Sequence, residues 1–108
     1  MISNQDIIQN SLDLNSLPKV SYLCIPKIHH SIQRDFIFKK LCHLRIGFIQ
    51  KYVEIPLKSN SNFKRILVRV IWNKEPRTIM IRDRIYNEKP VYIVYDHPWF
   101  WKITKCIE

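Results

Sequence analysis

Three stretches of the chain have the β-branched composition and the two-residue alternation that are typical of β-strands. They are VSYLCI at 20–25, FIQKYVEIPL at 48–57 and FKRILVRVIW at 63–72. The first stretch ends at Pro26, which has no N–H to donate to a neighbouring strand. The polar cluster KSNSN at 58–62 separates the other two and has the composition of a turn. The sequence therefore predicts three strands in this part of the chain.

Two further stretches have the three-to-four-residue apolar spacing of amphipathic helices. The stripe of the first helix comprises Phe36, Ile37, Leu41 and Leu44. Gly47, the only glycine of the chain, follows this stripe and suits the turn after a helix. The second helix is predicted over 74–88, with Pro76 in its first turn, where a missing N–H is harmless. Its buried stripe comprises Thr78, Ile81 and Ile85.

The C-terminal part predicts an arm and a last strand. PVYIVY at 90–95, a turn at DHP and WFWKITK at 99–105 have the pattern of a hairpin-like arm followed by a strand. The element order is then βαββαβ, so we expect an α+β, ferredoxin-like fold: a four-stranded antiparallel sheet with two helices on one face. No helix covers the other face of the sheet. This face is then exposed to solvent, covered by the N-terminal segment or used by a binding partner.

The N-terminal segment differs from the rest of the chain. Residues 1–18 are rich in Asn and Ser, have loosely spaced apolar residues and end at Pro18, which closes any helix before it. We expect an N-terminal arm over 1–18, flexible or forming a short helix, and a single compact domain over 19–108. This arm is a candidate for covering the open face of the sheet.

Strand alternation predicts which side chains point away from the helices. If Ile66, Val68 and Val70 pack under the helices, then Leu67 and Arg69 point to the open face. The same argument places Tyr22 and Cys24 on the open face of the first strand, and Tyr52 on that of the second, where Lys51 breaks the alternation and allows a bulge. In the last strand, Phe100 and Lys102 point outward, while Trp99, Trp101 and Ile103 point into the core.

Charge adds a class of partner to this picture. The formal net charge is +9, and the segment 1–18 contains two of the nine acidic residues, Asp6 and Asp13, but no Lys or Arg. All 18 basic residues therefore lie in the predicted domain. A compact basic domain is typical of nucleic-acid binding, and an acidic protein partner is the alternative.

Several function classes find no support in the sequence. No apolar run reaches the roughly 20 residues of a membrane span, and the N-terminus lacks the features of a secretory signal, so we expect a soluble intracellular protein without a membrane partner. Cys24, Cys42 and Cys106 are odd in number and irregularly spaced, which argues against a disulfide framework, and with His29 and His30 they match no zinc-site spacing. No catalytic motif or phosphate-binding glycine loop is present. We expect no enzyme activity, metal or cofactor.

The order of elements resembles that of the RNA recognition motif (RRM), a module whose central strands carry base-stacking aromatics. The likeness covers about 20–105, with YLCIPKI at 22–28 and RILVRVIW at 65–72 in the places of its two conserved boxes. The outward positions that carry rings in a typical RRM fall here on Leu67, Arg69 and Cys24. The resemblance implies an RRM-like fold and binding of RNA on the sheet.

A closer likeness is to small RRM-like proteins of giant DNA viruses of the mimivirus and phycodnavirus type. The matching segments are LCIPKI at 23–28, NFKRILVRVIW at 62–72, RDRIYNEKPVYIVYD at 82–96 and PWFWK at 98–102. The resemblance implies a viral protein that acts in the cytoplasm or nucleus of the infected cell or is packaged in the virion.

The sequence thus predicts a non-catalytic protein that binds single-stranded RNA or DNA on the open face of the sheet. Tyr22, Tyr52 and Phe100 are expected to stack on bases beside Leu67. The residues expected to hold phosphates are Lys64, Arg65, Arg69 and Lys102. The alternative is a protein-protein interaction module of a larger viral assembly that uses the same degenerate face.

Overall fold

The computed structural model of the protein describes residues 19–106 as an α+β arrangement of seven elements. The strands are β1 (Val20–His29), β2 (Gly47–Pro56), β3 (Phe63–Trp72), β4 (Val91–Asp96) and β5 (Trp99–Lys105). The helices are α1 (Arg34–His43) and α2 (Pro76–Tyr86). The predicted arm over 1–18 lies outside the described residues.

The five strands form one antiparallel sheet in the order β2-β3-β1-β5-β4. The architecture is compatible with the expected ferredoxin-like arrangement, but the prediction of four strands is wrong. The segment predicted as an arm is β4, which pairs with β5 from Val91 opposite Ile103 to Asp96 opposite Trp99. Its alternation of exposed Tyr92 and buried Ile93 is that of a true strand.

Both helices contribute to a single core on one side of the sheet. The first helix buries Ile37 and Leu41, and the second buries Thr78 and Ile85. The strand residues of this core come from β1, β3, β4 and β5 and alternate along each strand, except that a bulge after Ile25 shifts the phase in β1: Leu23, Ile25, Ile28, Ile66, Val68, Val70, Trp72, Ile93, Trp101 and Ile103. The side of the sheet that carries these residues is called the helix side below, and the opposite side is called the open face.

Gly47 serves the tight entry into β2 that follows the first helix. Its φ is +156°, and a Cβ atom there would lie 2.0 Å from the backbone oxygen of Ile71. Only a residue without a side chain lets β2 approach β3 this closely. The expected role of this glycine in the connection after the helix is confirmed.

Candidate nucleic-acid interface

The open face is centred on a cross-strand cluster from the two middle strands. Tyr22 of β1 lies opposite Arg69 of β3, and Cys24 lies opposite Leu67. The guanidinium of Arg69 is 5.9 Å from the centre of the Tyr22 ring, and 40% of the Tyr22 residue surface is exposed. The structure therefore brings together three of the predicted site residues, Tyr22, Leu67 and Arg69, on the face predicted for them.

A cavity of about 460 Å³ opens beside this cluster. Its apolar wall includes Tyr22, Pro26 and Leu67, and the charged residues that border it are Arg65 and Lys105. A smaller cavity of about 70 Å³ also borders Tyr22 and Leu67 and reaches Lys51. The two cavities together form a groove that crosses β2, β3, β1 and β5. We call it the open-face groove.

At the floor of the open-face groove lies Cys24, a buried thiol. Burial and the neighbouring Cys106 thiol raise the pKa of Cys24 to about 11, against a smaller opposing effect of Arg65. Its thiolate is therefore scarce at neutral pH, and the side chain acts here as a small apolar group.

The strands β4 and β5 extend the open face with more rings. Phe100 and Lys102 are exposed on this face, as predicted, because Cys24 lies opposite Thr104 and alternation places them at the same parity. The Phe100 ring meets the ring of Tyr92 edge to face at 4.7 Å. The sequence reasoning missed Tyr92 because 90–95 was assigned to an arm. The alternation of Tyr92 with Ile93 was the signal that could have identified it.

Tyr52 lies on the helix side, so the predicted orientation of this ring is wrong. The pairing of β2 with β3 shifts between Ile49 and Lys51, and this bulge reverses the alternation that follows it. Tyr52 consequently lies opposite Val68, and its ring packs edge to face on Phe38 of the first helix at 5.9 Å. The same shift turns Lys51 to the open face, opposite Arg69, where no role was predicted for it.

Lys64 is also on the helix side and is 8% exposed, so its predicted position on a phosphate-binding face is wrong. Its Nζ donates to the backbone oxygen of Ile32 at 2.7 Å and to Oε1 of Glu54 at 2.9 Å. It lies one residue out of phase with Arg65, which is exposed on the open face. Lys64 therefore connects the segment before the first helix to the sheet.

Glu54 is the centre of a small polar network on the helix side. Tyr52 donates its hydroxyl to Oε2 of Glu54 at 2.6 Å, beside the bond from Lys64. Burial alone would raise the pKa of Glu54, but the bonds from Tyr52 and Lys64 outweigh it and lower the pKa. Burial and the Glu54 carboxylate raise the pKa of Tyr52 in turn. This network is structural, since its members point away from the open face.

The two tryptophans of β5 have different environments. Trp101 is 4% exposed and stacks on Tyr95 at 4.3 Å, which confirms the prediction for this residue. Trp99 is 63% exposed, so the prediction of its burial is wrong. It has the parity of Trp101, but it lies at the hairpin turn, beyond the side chains that cover Trp101. Phe36 is one of these, at 6.2 Å from Trp101.

The electrostatic character of the open face is uniformly positive. Five cationic side chains share it: Lys27, Lys51, Arg65, Arg69 and Lys102. Within the five described strands no acidic side chain joins them, because Glu54 is on the helix side and Asp96 lies opposite Trp99, out of phase with Phe100. A face with this charge attracts anions and raises their local concentration.

No group of three or more His, Cys, Asp or Glu side chains among residues 19–106 is arranged to hold a metal ion. No helix in the described part of the chain is long and apolar enough to cross a membrane.

The sequence matches no protein-family model, and neither curated proteins nor solved structures show a significant similarity to it.

Proposed function

We propose that this protein binds single-stranded nucleic acid, RNA or DNA, on the open face of its sheet and performs no catalysis there. The observation that carries the proposal is the composition of the open face, which combines exposed rings with five cations and no acidic side chain in the described strands. Sites for single strands combine these two elements, because cations follow the phosphates while bases stack on rings.

The open face offers two kinds of contact, rings for bases and cations for phosphates. Tyr22 and Phe100 offer exposed rings, each able to stack one base for about 1–3 kcal/mol. Arg65 and Arg69 on β3 and Lys102 on β5 lie on both sides of β1, two strand spacings or about 10 Å apart. A strand that crosses the sheet can therefore contact cations on both sides of its stacked bases.

An RRM-like, ferredoxin-like fold is part of the proposal. Without β4, the order is β2-β3-β1-β5, which has the last strand beside the first, as an RRM sheet does. The departure lies in the rings: β3 presents Leu67 and Arg69 where an RRM stacks bases, and the exposed rings of this face lie on β1, β2, β4 and β5. We therefore expect stacking on these strands rather than on β3, and we extend the proposal to a viral origin on the likeness of the four segments.

Protein binding is the second candidate, and one observation favours it. Tyr92, Val94 and Phe100 form an exposed apolar patch on β4 and β5, and rings and aliphatic groups of this kind are common at the centre of protein interfaces. A protein bound through this patch would not depend on the five cations of the open face.

A salt titration tests the proposal. Each phosphate contact with a single strand contributes about −0.7 to the slope of log Kobs against log salt concentration, so five cations predict a slope of about −3.5. The measurement is fluorescence anisotropy with labelled uridine and thymidine 12-mers. Arg69→Ala should reduce the slope by about 0.7, while the matched control Lys39→Ala, on the exposed side of the first helix, should leave it unchanged.

The absence of binding at low salt, or equal effects of the two variants, would contradict the proposal. The same titration with a chain that lacks residues 2–18 tests the sequence-based alternative that this segment covers the face. Tighter binding by the shortened chain would support that alternative.

A further inference from the structure

The two edges of the sheet differ in how well they resist pairing with another strand. The edge strand β2 has a bulge at Gln50, a lysine at Lys51 and a proline at its end, Pro56, and these are devices that block edge-to-edge association. The other edge strand, β4, follows Pro90 and has a bulge between Val94 and Asp96, but its first five residues, VYIVY, carry no charge. Among residues 19–106, no strand pairs with the outer edge of β4.

Apolar side chains continue from this edge onto the open face. Tyr92 and Val94 are 50% and 56% exposed, and Phe100 next to them is 54% exposed. The unpaired backbone of β4 and the large apolar side chains beside it are therefore both exposed to solvent. This combination is typical of a strand that recruits another strand.

The charges at the two ends of β4 point to the partner and its direction. Lys89 lies before the strand and Asp96 ends it, and both are exposed. In an antiparallel pair of two β4 strands, Lys89 of each copy comes near Asp96 of the other. A parallel pair would bring like charges together at each end. The edge is therefore complementary in charge to itself in the antiparallel direction.

We infer that a second copy of this chain pairs with the first through β4, antiparallel, so that two sheets join edge to edge. A two-fold axis perpendicular to the sheet through Ile93 places Tyr92 of one copy opposite Val94 of the other, and all four side chains lie on the joined open face. The six residues of β4 span about 20 Å, so this contact alone is smaller than a standard interface and the dimer should dissociate on dilution. The inference does not depend on nucleic-acid binding.

Sedimentation velocity of the full chain from about 1 μM to about 1 mM tests the inference, since this range covers the dissociation constants of weak interfaces. We expect a reversible monomer–dimer equilibrium. Val94→Lys should raise the dissociation constant about tenfold or more, because it buries a lysine at the joined edge. The matched control is Phe48→Lys, which adds the same charge at an exposed position of the open face but on the β2 edge, and it should leave the equilibrium unchanged. Circular dichroism checks that both variants are folded.

Charge reversal distinguishes self-pairing through β4 from any other dimer. Lys89→Glu alone and Asp96→Lys alone should each weaken the homodimer about fivefold, because like charges then meet at both ends. A mixture of the two single variants should form a heterodimer tighter than either homodimer, and the double variant should return to the wild-type constant. A wild-type chain that stays monomeric throughout, or a dimer indifferent to Val94→Lys and to the charge reversals, would overturn the inference.

Discussion

Lys64 and Arg65 are neighbours in sequence, but their side chains lie on opposite sides of the sheet. Replacing each with methionine distinguishes an effect on stability from an effect on the proposed binding. Both substitutions remove one positive charge from β3. Lys64→Met removes a buried ammonium that donates to Glu54 and to the backbone oxygen of Ile32. Arg65→Met removes an exposed guanidinium from the open-face groove.

The magnitude for Lys64 follows from its two hydrogen bonds. A hydrogen bond that involves a charged group contributes about 1.5–3 kcal/mol, and the substitution also leaves the Glu54 carboxylate without its cation. We expect Lys64→Met to lower the free energy of unfolding by about 3 kcal/mol, or the Tm by roughly 12–24 °C for a domain of this size. An exposed change such as Arg65→Met should stay within about 0.5 kcal/mol.

The loss for Lys64→Met should also depend on pH. The pKa of Glu54 in the folded protein is below its usual value of 4.5, so the carboxylate stabilises the fold above that value. As pH falls through the folded pKa, Glu54 becomes protonated and the ion pair with Lys64 is lost in the wild type too. The stability difference between wild type and Lys64→Met should therefore be largest near neutral pH and should shrink below about pH 4.5, where the bond to Ile32 accounts for the remainder.

Urea unfolding at several pH values measures the stabilities, and anisotropy at a temperature where both variants are folded measures binding. Lys64→Met should bind the 12-mers with the wild-type salt slope, whereas Arg65→Met should reduce that slope by about 0.7. A stable Lys64→Met variant with weakened binding would refute the assignment of Lys64 to the helix side. A pH-independent loss of stability would refute the role of Glu54.

Three smaller predictions follow from single residues. Gly47→Ala should destabilise the fold by about 3 kcal/mol or more in urea unfolding, because the added Cβ meets the backbone of Ile71. In a titration with a thiol reagent at pH 8, exposed Cys42 should react well before Cys24, whose pKa of about 11 leaves only about one thiolate in a thousand. Trp99→Phe should shift tryptophan emission to shorter wavelength and reduce acrylamide quenching, since it removes an exposed indole.

The sequence predicted the parts of the fold in which alternation is uninterrupted. In β3, Ile66, Val68 and Val70 are buried, and Leu67 and Arg69 share the open face, so parity counting succeeds over the whole strand. The second helix lies within its predicted range, and the first contains Ile37 and Leu41 of its predicted stripe as its buried residues.

The failures have local physical causes that periodicity does not contain. One extra residue at the β2 bulge moved Tyr52 to the helix side and Lys51 to the open face, although the break in alternation at Lys51 was visible. Lys64 has the parity of the core, but its charge suggested exposure, and only the tertiary contact with Glu54 and Ile32 explains its burial. Trp99 has the parity of Trp101 but lies at the end of the hairpin, where no neighbour covers it.

The central position of β1 has a consequence for folding during synthesis on the ribosome. This strand is the centre of the sheet, yet its neighbour on one side, β5, is the last of the five described strands to be synthesised. The Thr104 hydroxyl donates to the backbone oxygen of Cys24, 80 residues earlier in the chain. A nascent chain that ends before Trp99 can already pair β1 with β3. The edge of β1 that later pairs with β5 is then unpaired, and it carries the apolar stretch VSYLCI. Because contacts between such distant segments form late, the growing chain passes through a stage that favours aggregation, and release of residues 99–105 ends that stage.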